Sequence, residues 1–439
     1  KYYFLFMSYG GLTSDGGYQM RIFRSENPDG PFVDCYGTSA LFKSYKMNYG
    51  STTADNRGVL LFGGYQWDAM SGAEIAQGHN SAFVDKQNRS FVVYHTRFSN
   101  GGEGHQVRVH QLFLNDEGWL MAAPFEFDGE TITDAAIASK ASIADADIAG
   151  DYQFIRHQYG QNTKAKAFET PVNITLNADG TITGAEKGTW KRTAGTDYIH
   201  LTINNVVYRG VLVKQTIDYT NIPAIAISAL SSSSGSLSLG QNNFTYQQEV
   251  WAVKADAKAA IKYTLSKMTL PFSNGATLNA APSLPTQGKM GANISWTSSD
   301  TSILTDDGVV KGKGKVTMTM TISKDDYEYV KEYTLNIDAE AEETTPVYYP
   351  VSAQKNTSNA YATNLSQDYT VKAGKKAQFK FYNYTIGTDN FKSWVLGVSN
   401  VAHGAAGYKE YVMLRNDNWE NISWGNTGCT SDFNWDTFV

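Results

Sequence analysis

Gln106-Val107-Arg108-Val109-His110-Gln111-Leu112-Phe113-Leu114, then Asn115-Asp116-Glu117-Gly118, then Trp119-Leu120-Met121-Ala122, reads as a strand, a turn and a strand in one line. β-Branched and aromatic residues suit a pleated, half-buried backbone, and an Asn/Asp start with a closing Gly is the composition of a tight reversal. The same unit recurs upstream. Apolar or aromatic runs at residues 2–7, 18–24, 59–63, 81–84 and 91–95 are separated by turn-forming breaks. One break, Asn27-Pro28-Asp29-Gly30-Pro31, combines a Pro that sets φ with a Gly that permits a positive one. This is the spacing of hairpins stacked into four-stranded sheets, and it predicts several blades of a β-propeller over residues 1–128.

The composition agrees. Of 439 residues, 13% are aromatic, 18% are charged and 39 are Gly, which suits a turn-rich β protein and excludes a helical bundle. At roughly 150 residues per domain, the length suggests about three domains. With 37 basic against 43 acidic residues, a net charge of −6 and no basic stripe, nucleic acid is not an expected partner. No apolar run approaches the roughly 20 residues of a membrane span. Cys35 and Cys429 lie at opposite ends of the chain, which argues against a disulfide framework or a thiolate metal site. Both ends lie in apolar alternating sequence with no signal peptide, so the chain reads as a fragment.

Beyond residue 128 the texture changes to small and acidic residues, a connector leading into period-two alternation. Residues 129–254 are therefore expected to form an antiparallel β-barrel or sandwich, with the serine run at 231–236 as a loop tip. In residues 255–341, Trp296-Thr297-Ser298-Ser299-Asp300 and Asp307-Gly308-Val309-Val310-Lys311-Gly312 resemble typical strings of bacterial Ig-like modules, which predicts an Ig-like sandwich. Residues 342–439 read as a truncated β-sandwich. There Trp419 and Trp424 form either its aromatic core or a carbohydrate-stacking surface.

Four of the seven histidines, His79, His95, His105 and His110, fall in the first segment. Zinc would need three or four converging ligands, yet His105 and His110, five apart on one strand, face opposite ways. The carboxylates Asp15, Asp29, Asp34, Asp68, Glu74 and Glu103 lie in or beside turns and read as solvated turn residues; Asp15 and Glu74 stand beside the motifs quoted next.

Six strings occur in order: residues 2–12, Gly17-Tyr18-Gln19-Met20-Arg21, residues 24–32, Gln77-Gly78-His79-Asn80-Ser81, Tyr94-His95-Thr96-Arg97-Phe98 and Gly118-Trp119. Together they resemble the second half of a glycoside hydrolase family 43 endo-α-1,5-L-arabinanase, and residues 129–254 are similar to the β-domain that follows the propeller in larger members. The resemblance implies an all-β chain: the C-terminal blades of a five-bladed propeller, a barrel-like domain and the two further modules. It implies endo-acting, inverting hydrolysis of α-1,5-L-arabinan. The catalytic carboxylates of the family lie upstream of the strand matching residues 2–7, so none is assigned here, and the fragment alone is expected to be inactive.

His79 is the residue carried over: in the family, the His of this string ligates a calcium ion in the propeller channel, with mostly water as the other ligands. The ion's expected role is to hold nearby carboxylates ionised. Tyr9, Asn80, Arg97 and Trp67 are candidate substrate contacts, because arabinose offers hydroxyls to bond and an apolar face to stack on. Arg21, Arg24 and Arg108 read as structural ion-pair partners. The implied partner is arabinan or an arabino-oligosaccharide, and the implied setting is a monomer secreted by, or attached to the surface of, a bacterium. The alternatives are a non-catalytic glycan-binding protein on the same scaffold and an exo-acting arabinofuranosidase or xylosidase.

Overall fold

The computed structural model describes residues 2–41, 57–160, 166–231 and 247–341, and beyond them the backbone of three strands. The chain divides into two compact units, Lys1–Glu342 and Glu343–Val439. It is predominantly β-structure, as the composition requires.

The first unit opens with β1 (Tyr3–Tyr9), β2 (Gln19–Ser25) and β3 (Val59–Phe62), paired in that order into an antiparallel sheet. A four-stranded meander follows: β4 (Glu74–Val84), β5 (Ser90–Phe98), β6 (Gln106–Leu114) and β7 (Leu120–Ala122). The strand expected at 81–84 begins seven residues earlier than its alternation suggests. Two register shifts interrupt the β4–β5 ladder, at Ile75/Gly78 and Gly78/Ser81, and Ala76 and His79 take φ of 53° and 50°. A bulge leaves a residue unpaired and re-aims its side chain, so this segment breaks the period of two that reveals a strand.

The connector folds into two short helices, α1 (Asp134–Ser139), capped by the Thr133 hydroxyl, and α2 (Asp145–Ile148), which bury Ile137 and Ile148. Eight strands then close into an antiparallel barrel: β8 (Gly150–Arg156), β9 (Val172–Leu176), β10 (Thr181–Gly184), β11 (Gly188–Arg192), β12 (Tyr198–Ile203), β13 (Val206–Thr216), β14 (Pro223–Leu230) and β15 (Glu249–Ala255). Of the two architectures expected for this segment, the barrel is the one formed. Tyr152, Phe154, Leu176, Leu201 and Ile227 fill its interior. Along β15 nearly every residue is buried, because the outward face of β13–β15 is buried too. Val211, Val213, Trp251 and Val253 belong to one hydrophobic cluster with Met20, Phe62, Tyr94 and Leu112 of the two sheets. Sheets and barrel therefore share a core.

The last part of this unit contains α3 (Ala257–Lys267), started by the Asp256 carboxylate accepting from the Ala259 N–H at 2.8 Å. Four strands follow, β16 (Thr277–Leu278), β17 (Asn293–Ser298), β18 (Gly314–Lys324) and β19 (Tyr327–Ile337), in the order β16-β19-β18-β17. Where a sandwich would place a second sheet, the core is completed by Ile261 and Leu265 of α3 and by the loop residues Leu284, Ile303 and Leu304. This module is fastened to the barrel: the Lys324 ammonium donates to the Asp151 carbonyl at 2.7 Å, and the Asp325 carboxylate accepts from the Asp151 N–H at 2.7 Å.

In the second unit, β20 (Val395–Ser399), β21 (Glu410–Asn416) and β22 (Ile422–Gly425) form a three-stranded antiparallel sheet. Trp424 lies on β22, while Trp419 falls outside the described residues.

Candidate functional site

The bulged part of β4 is where the chemistry gathers. The His79 N–H donates to the Ser8 hydroxyl at 3.1 Å and to the Tyr18 hydroxyl at 3.2 Å, and Ser8 donates to Asn80 Oδ1 at 3.4 Å. The non-alternating backbone at His79 is thus held by side chains of the first sheet. Gly78 is required for this contact: a Cβ there would stand 2.2 Å from the Tyr18 ring. The His79 side chain is exposed. Its ring lies 5.7 Å from that of His95, edge to face, and His95 in turn lies 4.7 Å from His105. Burial, then the neighbouring His105, Arg97 and His79, hold His95 below the ordinary histidine range. Its Nδ1 is buried with no hydrogen-bond partner among the described residues.

Next along β5, Arg97 is 11% exposed and its Nε lies 3.0 Å from Glu103 Oε2. Its Nη1 is buried without a hydrogen-bond partner among the described residues. Glu103 also accepts from the Ser14 hydroxyl at 2.7 Å and from the Ser14 N–H, and these bonds hold its carboxyl below the usual range. Asn80 is half-buried beside His79, and half-buried Tyr9 sits at the end of β1 with the Arg21 guanidinium 5.1 Å from its ring centroid. Tyr9, His79, Asn80 and Arg97 all lie on the first two sheets.

Trp67 requires correction as a sugar platform. It is 2% exposed, its ring stacked at 19° on Trp251, 6.4 Å away, and tilted against Phe125 at 5.6 Å. A ring so enclosed has no face to offer a ligand. Glu74 is likewise no solvated turn residue. It begins β4 with its side chain 1% exposed, and Arg108 Nε lies 2.8 Å from it and 3.0 Å from Glu126. Asp15 does keep to its turn, accepting from Thr13 at 2.7 Å. Arg21 and Arg24 work through carbonyls and rings: Arg21 donates to the Arg57 and Tyr159 carbonyls, and Arg24 lies 4.3 Å and 4.0 Å from the Tyr2 and Trp119 rings. Tyr18 is the site residue that sequence reasoning missed. Its signal was available, since a Gly immediately before a His on a strand implies that something packs over it.

Among the described residues, no three His, Cys, Asp or Glu side chains are arranged to hold a metal ion. Near His79 the Ser8 and Tyr18 oxygens accept from its backbone N–H, Asn80 Oδ1 accepts from Ser8, and the nearest other imidazole is that of His95. Calcium takes about six to eight oxygen ligands. These contacts do not form a protein cage for such an ion.

Residues 124–240 match the GH43_C family, a C-terminal lipocalin-like domain, and residues 256–340 match the atrophied bacterial Ig domain. Over 223 residues the sequence is 42% identical to an extracellular endo-α-(1→5)-L-arabinanase of Thermotoga petrophila, covering 49% of this chain and 44% of that protein. Over 224 residues it is 40% identical to an extracellular endo-α-(1→5)-L-arabinanase 2 of Bacillus subtilis, covering 49% and 45%. The chain thus spans less than half the length of these curated relatives. Among solved structures, a glycoside hydrolase family 43 protein, YxiA, of Bacillus licheniformis aligns over 57% of this chain and 52% of its own, at 34% identity and a TM-score of 0.48. About half of this chain is therefore similar in sequence to extracellular endo-α-(1→5)-L-arabinanases.

Proposed function

We propose that this chain is the substrate-binding and ion-binding part of an endo-acting arabinanase that hydrolyses internal α-1,5 links of L-arabinan. The observation that carries the proposal is the 40–42% identity over about half the chain to two proteins named for that activity. The two sheets are read as blades of a five-bladed propeller, and the extracellular setting follows the names of the relatives. No helix among the described residues is long and apolar enough to cross a membrane.

Inverting hydrolysis needs a carboxylic acid for the leaving oxygen and a carboxylate base for water, about 6.5–9.5 Å apart. The proposal places both outside residues 1–439. Within the chain, Arg97, Tyr9 and Asn80 are the polar side chains this reading assigns to the sugar. Calcium, held by His79 and water, would supply a fixed positive charge that favours ionised carboxylates nearby. The Ser8 and Tyr18 hydroxyls fix the backbone that presents His79.

The test is digestion of linear arabinan by the full-length protein, with product analysis. Oligomers of mixed length are expected. Arabinose alone would indicate exo action, and binding without hydrolysis would indicate a glycan-binding protein. His79→Ala is expected to lower activity by about 10–100-fold and to abolish its response to added calcium after chelation, with an unchanged melting curve. A variant that still responds to calcium would remove His79 from the ion site.

A further inference from the structure

Two loops, one from each of the first two sheets, are tied together by a single carboxylate. The first, residues 10–17, turns back on a neck of bare glycines: the Gly11 N–H donates to the Gly16 carbonyl at 2.7 Å, and a Cβ on Gly16 would stand 2.5 Å from the Gly11 carbonyl oxygen. Ser14, in the turn of this loop, is buried. The second loop follows β5 at residues 99–105 and is pinned at its start, where the Ser99 N–H donates to the Ala73 carbonyl at 2.9 Å and the Asn100 side chain to the Ser71 carbonyl at 3.0 Å. Farther along its glycines are unpacked. Among the described residues, a Cβ on Gly102 or Gly104 would meet nothing within 4 Å.

Glu103 stands between those two glycines, and its carboxylate works in two directions. Oε1 accepts from the Ser14 hydroxyl at 2.7 Å, Oε2 accepts from the Ser14 N–H at 2.9 Å, and Oε2 also lies 3.0 Å from Arg97 Nε. A carboxylate accepts at both oxygens, so these contacts coexist. Arg97 sits opposite Ile75, where the β4–β5 ladder first shifts register, and its side chain is only 11% exposed. Its rotamer therefore decides which edge of the guanidinium faces outward. A long arginine side chain loses rotamer freedom when it meets a ligand, and a partner that fixes it beforehand removes that cost. The 10–17 loop sets Glu103, and Glu103 sets Arg97. Glu103 itself is 57% exposed, so removing its side chain leaves no cavity.

We propose that Glu103 is a positioning residue: held by Ser14, it fixes the Arg97 guanidinium in the orientation that meets a sugar hydroxyl. This rests on the arabinan reading and on its assignment of Arg97 to the sugar. The test is steady-state kinetics of the full-length protein on a linear α-1,5-linked arabino-oligosaccharide, comparing the parent with Glu103→Ala, Glu103→Gln, Arg97→Ala and the double variant Arg97→Ala/Glu103→Ala. In Glu103→Gln the one amide oxygen can stay on Ser14 only by turning its NH2 toward Arg97, so the loop keeps its anchor while the arginine loses its partner. Both Glu103 variants are expected to raise KM about tenfold with kcat and melting temperature unchanged, the mark of binding lost equally from ground and transition states. In the Arg97→Ala background, Glu103→Ala should add nothing, because a residue that acts through another has no effect once the other is gone. Parent-like KM in both Glu103 variants, or the same rise with and without Arg97, would overturn the positioning role and leave the arabinan reading standing. A rise in Glu103→Ala alone would assign the effect to the Ser14 loop and overturn it as well. No hydrolysis of the oligosaccharide by the parent would overturn both readings.

Discussion

Replacing Trp251 by Ala is expected to lower the stability of the first unit by about 3–5 kcal/mol, the range for truncating a buried Trp. The side chain is fully buried, although it sits on the outer face of the barrel. Its ring lies 5.5 Å from Phe62, 5.0 Å from Tyr65 and 4.2 Å from His157, so it fills space between three parts of the chain. Its indole N–H donates to the Ala122 carbonyl at 3.0 Å and to Glu249 Oε1 at 3.1 Å. Truncation would remove one donor from each acceptor in a dry site, with the Ser228 hydroxyl still donating to Glu249 Oε1, and an unmade bond there costs about 1–3 kcal/mol. Glu249 is the vulnerable one, since burial already pushes its carboxyl well above the usual range. Denaturant unfolding followed by far-UV circular dichroism is the check. Because one hydrophobic cluster spans the sheets and the barrel, the loss should shift a single transition. Two transitions in the variant, with only one displaced, would show that the shared core does not couple the modules.

Arg108→Met should cost a similar amount, about 3–5 kcal/mol, by stranding buried carboxylates. Arg108 is 8% exposed and bridges Glu74 and Glu126, and its Nη2 donates to the Tyr219 hydroxyl at 3.0 Å. Glu74, Glu126 and Asp218 are all raised above their ordinary values, each by burial first, with Arg108 pulling the other way. Asp218, which accepts from the Glu126 N–H at 3.1 Å, is pushed up to about 8. Its unfolded value is near 3.9, so between about pH 4 and pH 8 the folded chain holds the extra proton and stability falls as pH rises. Asp218→Asn keeps an acceptor for Glu126 and removes the ionisation. Its melting temperature should exceed the parent's at pH 8.5 and converge with it near pH 4; an advantage independent of pH would exclude this cause. The opposite limb belongs to His110 and His157, which burial lowers to about 4 and about 3. Neutral imidazole is favoured in the fold, so their contribution is complete above about pH 6.5 and is lost as pH falls toward those values.

Wherever one face of a strand is wet, its alternation could be read directly: Tyr198–Ile203 alternates half-buried and buried residues, and β18 does the same. Motif order likewise put His79 and Asn80 on β4 and Arg97 on β5, the strand paired with it. Three things were not legible. The start of β4 was hidden because two bulges abolish the period of two. Trp67 looked like a loop aromatic, because nothing local records that Trp251, 184 positions later, stacks on it. Glu74 looked solvated for the same reason, since Arg108 lies 34 residues away.

Local sequence determined which segments became strands, where the turns fall and which Gly positions had to stay bare, because dihedral preference and side-chain period act over a few neighbouring residues. Only the tertiary structure decided which faces went dry and that the barrel's outer wall serves as core for the sheets. Burial and ion pairing depend on residues brought together from distant positions, and the spacing of a single segment carries no record of them.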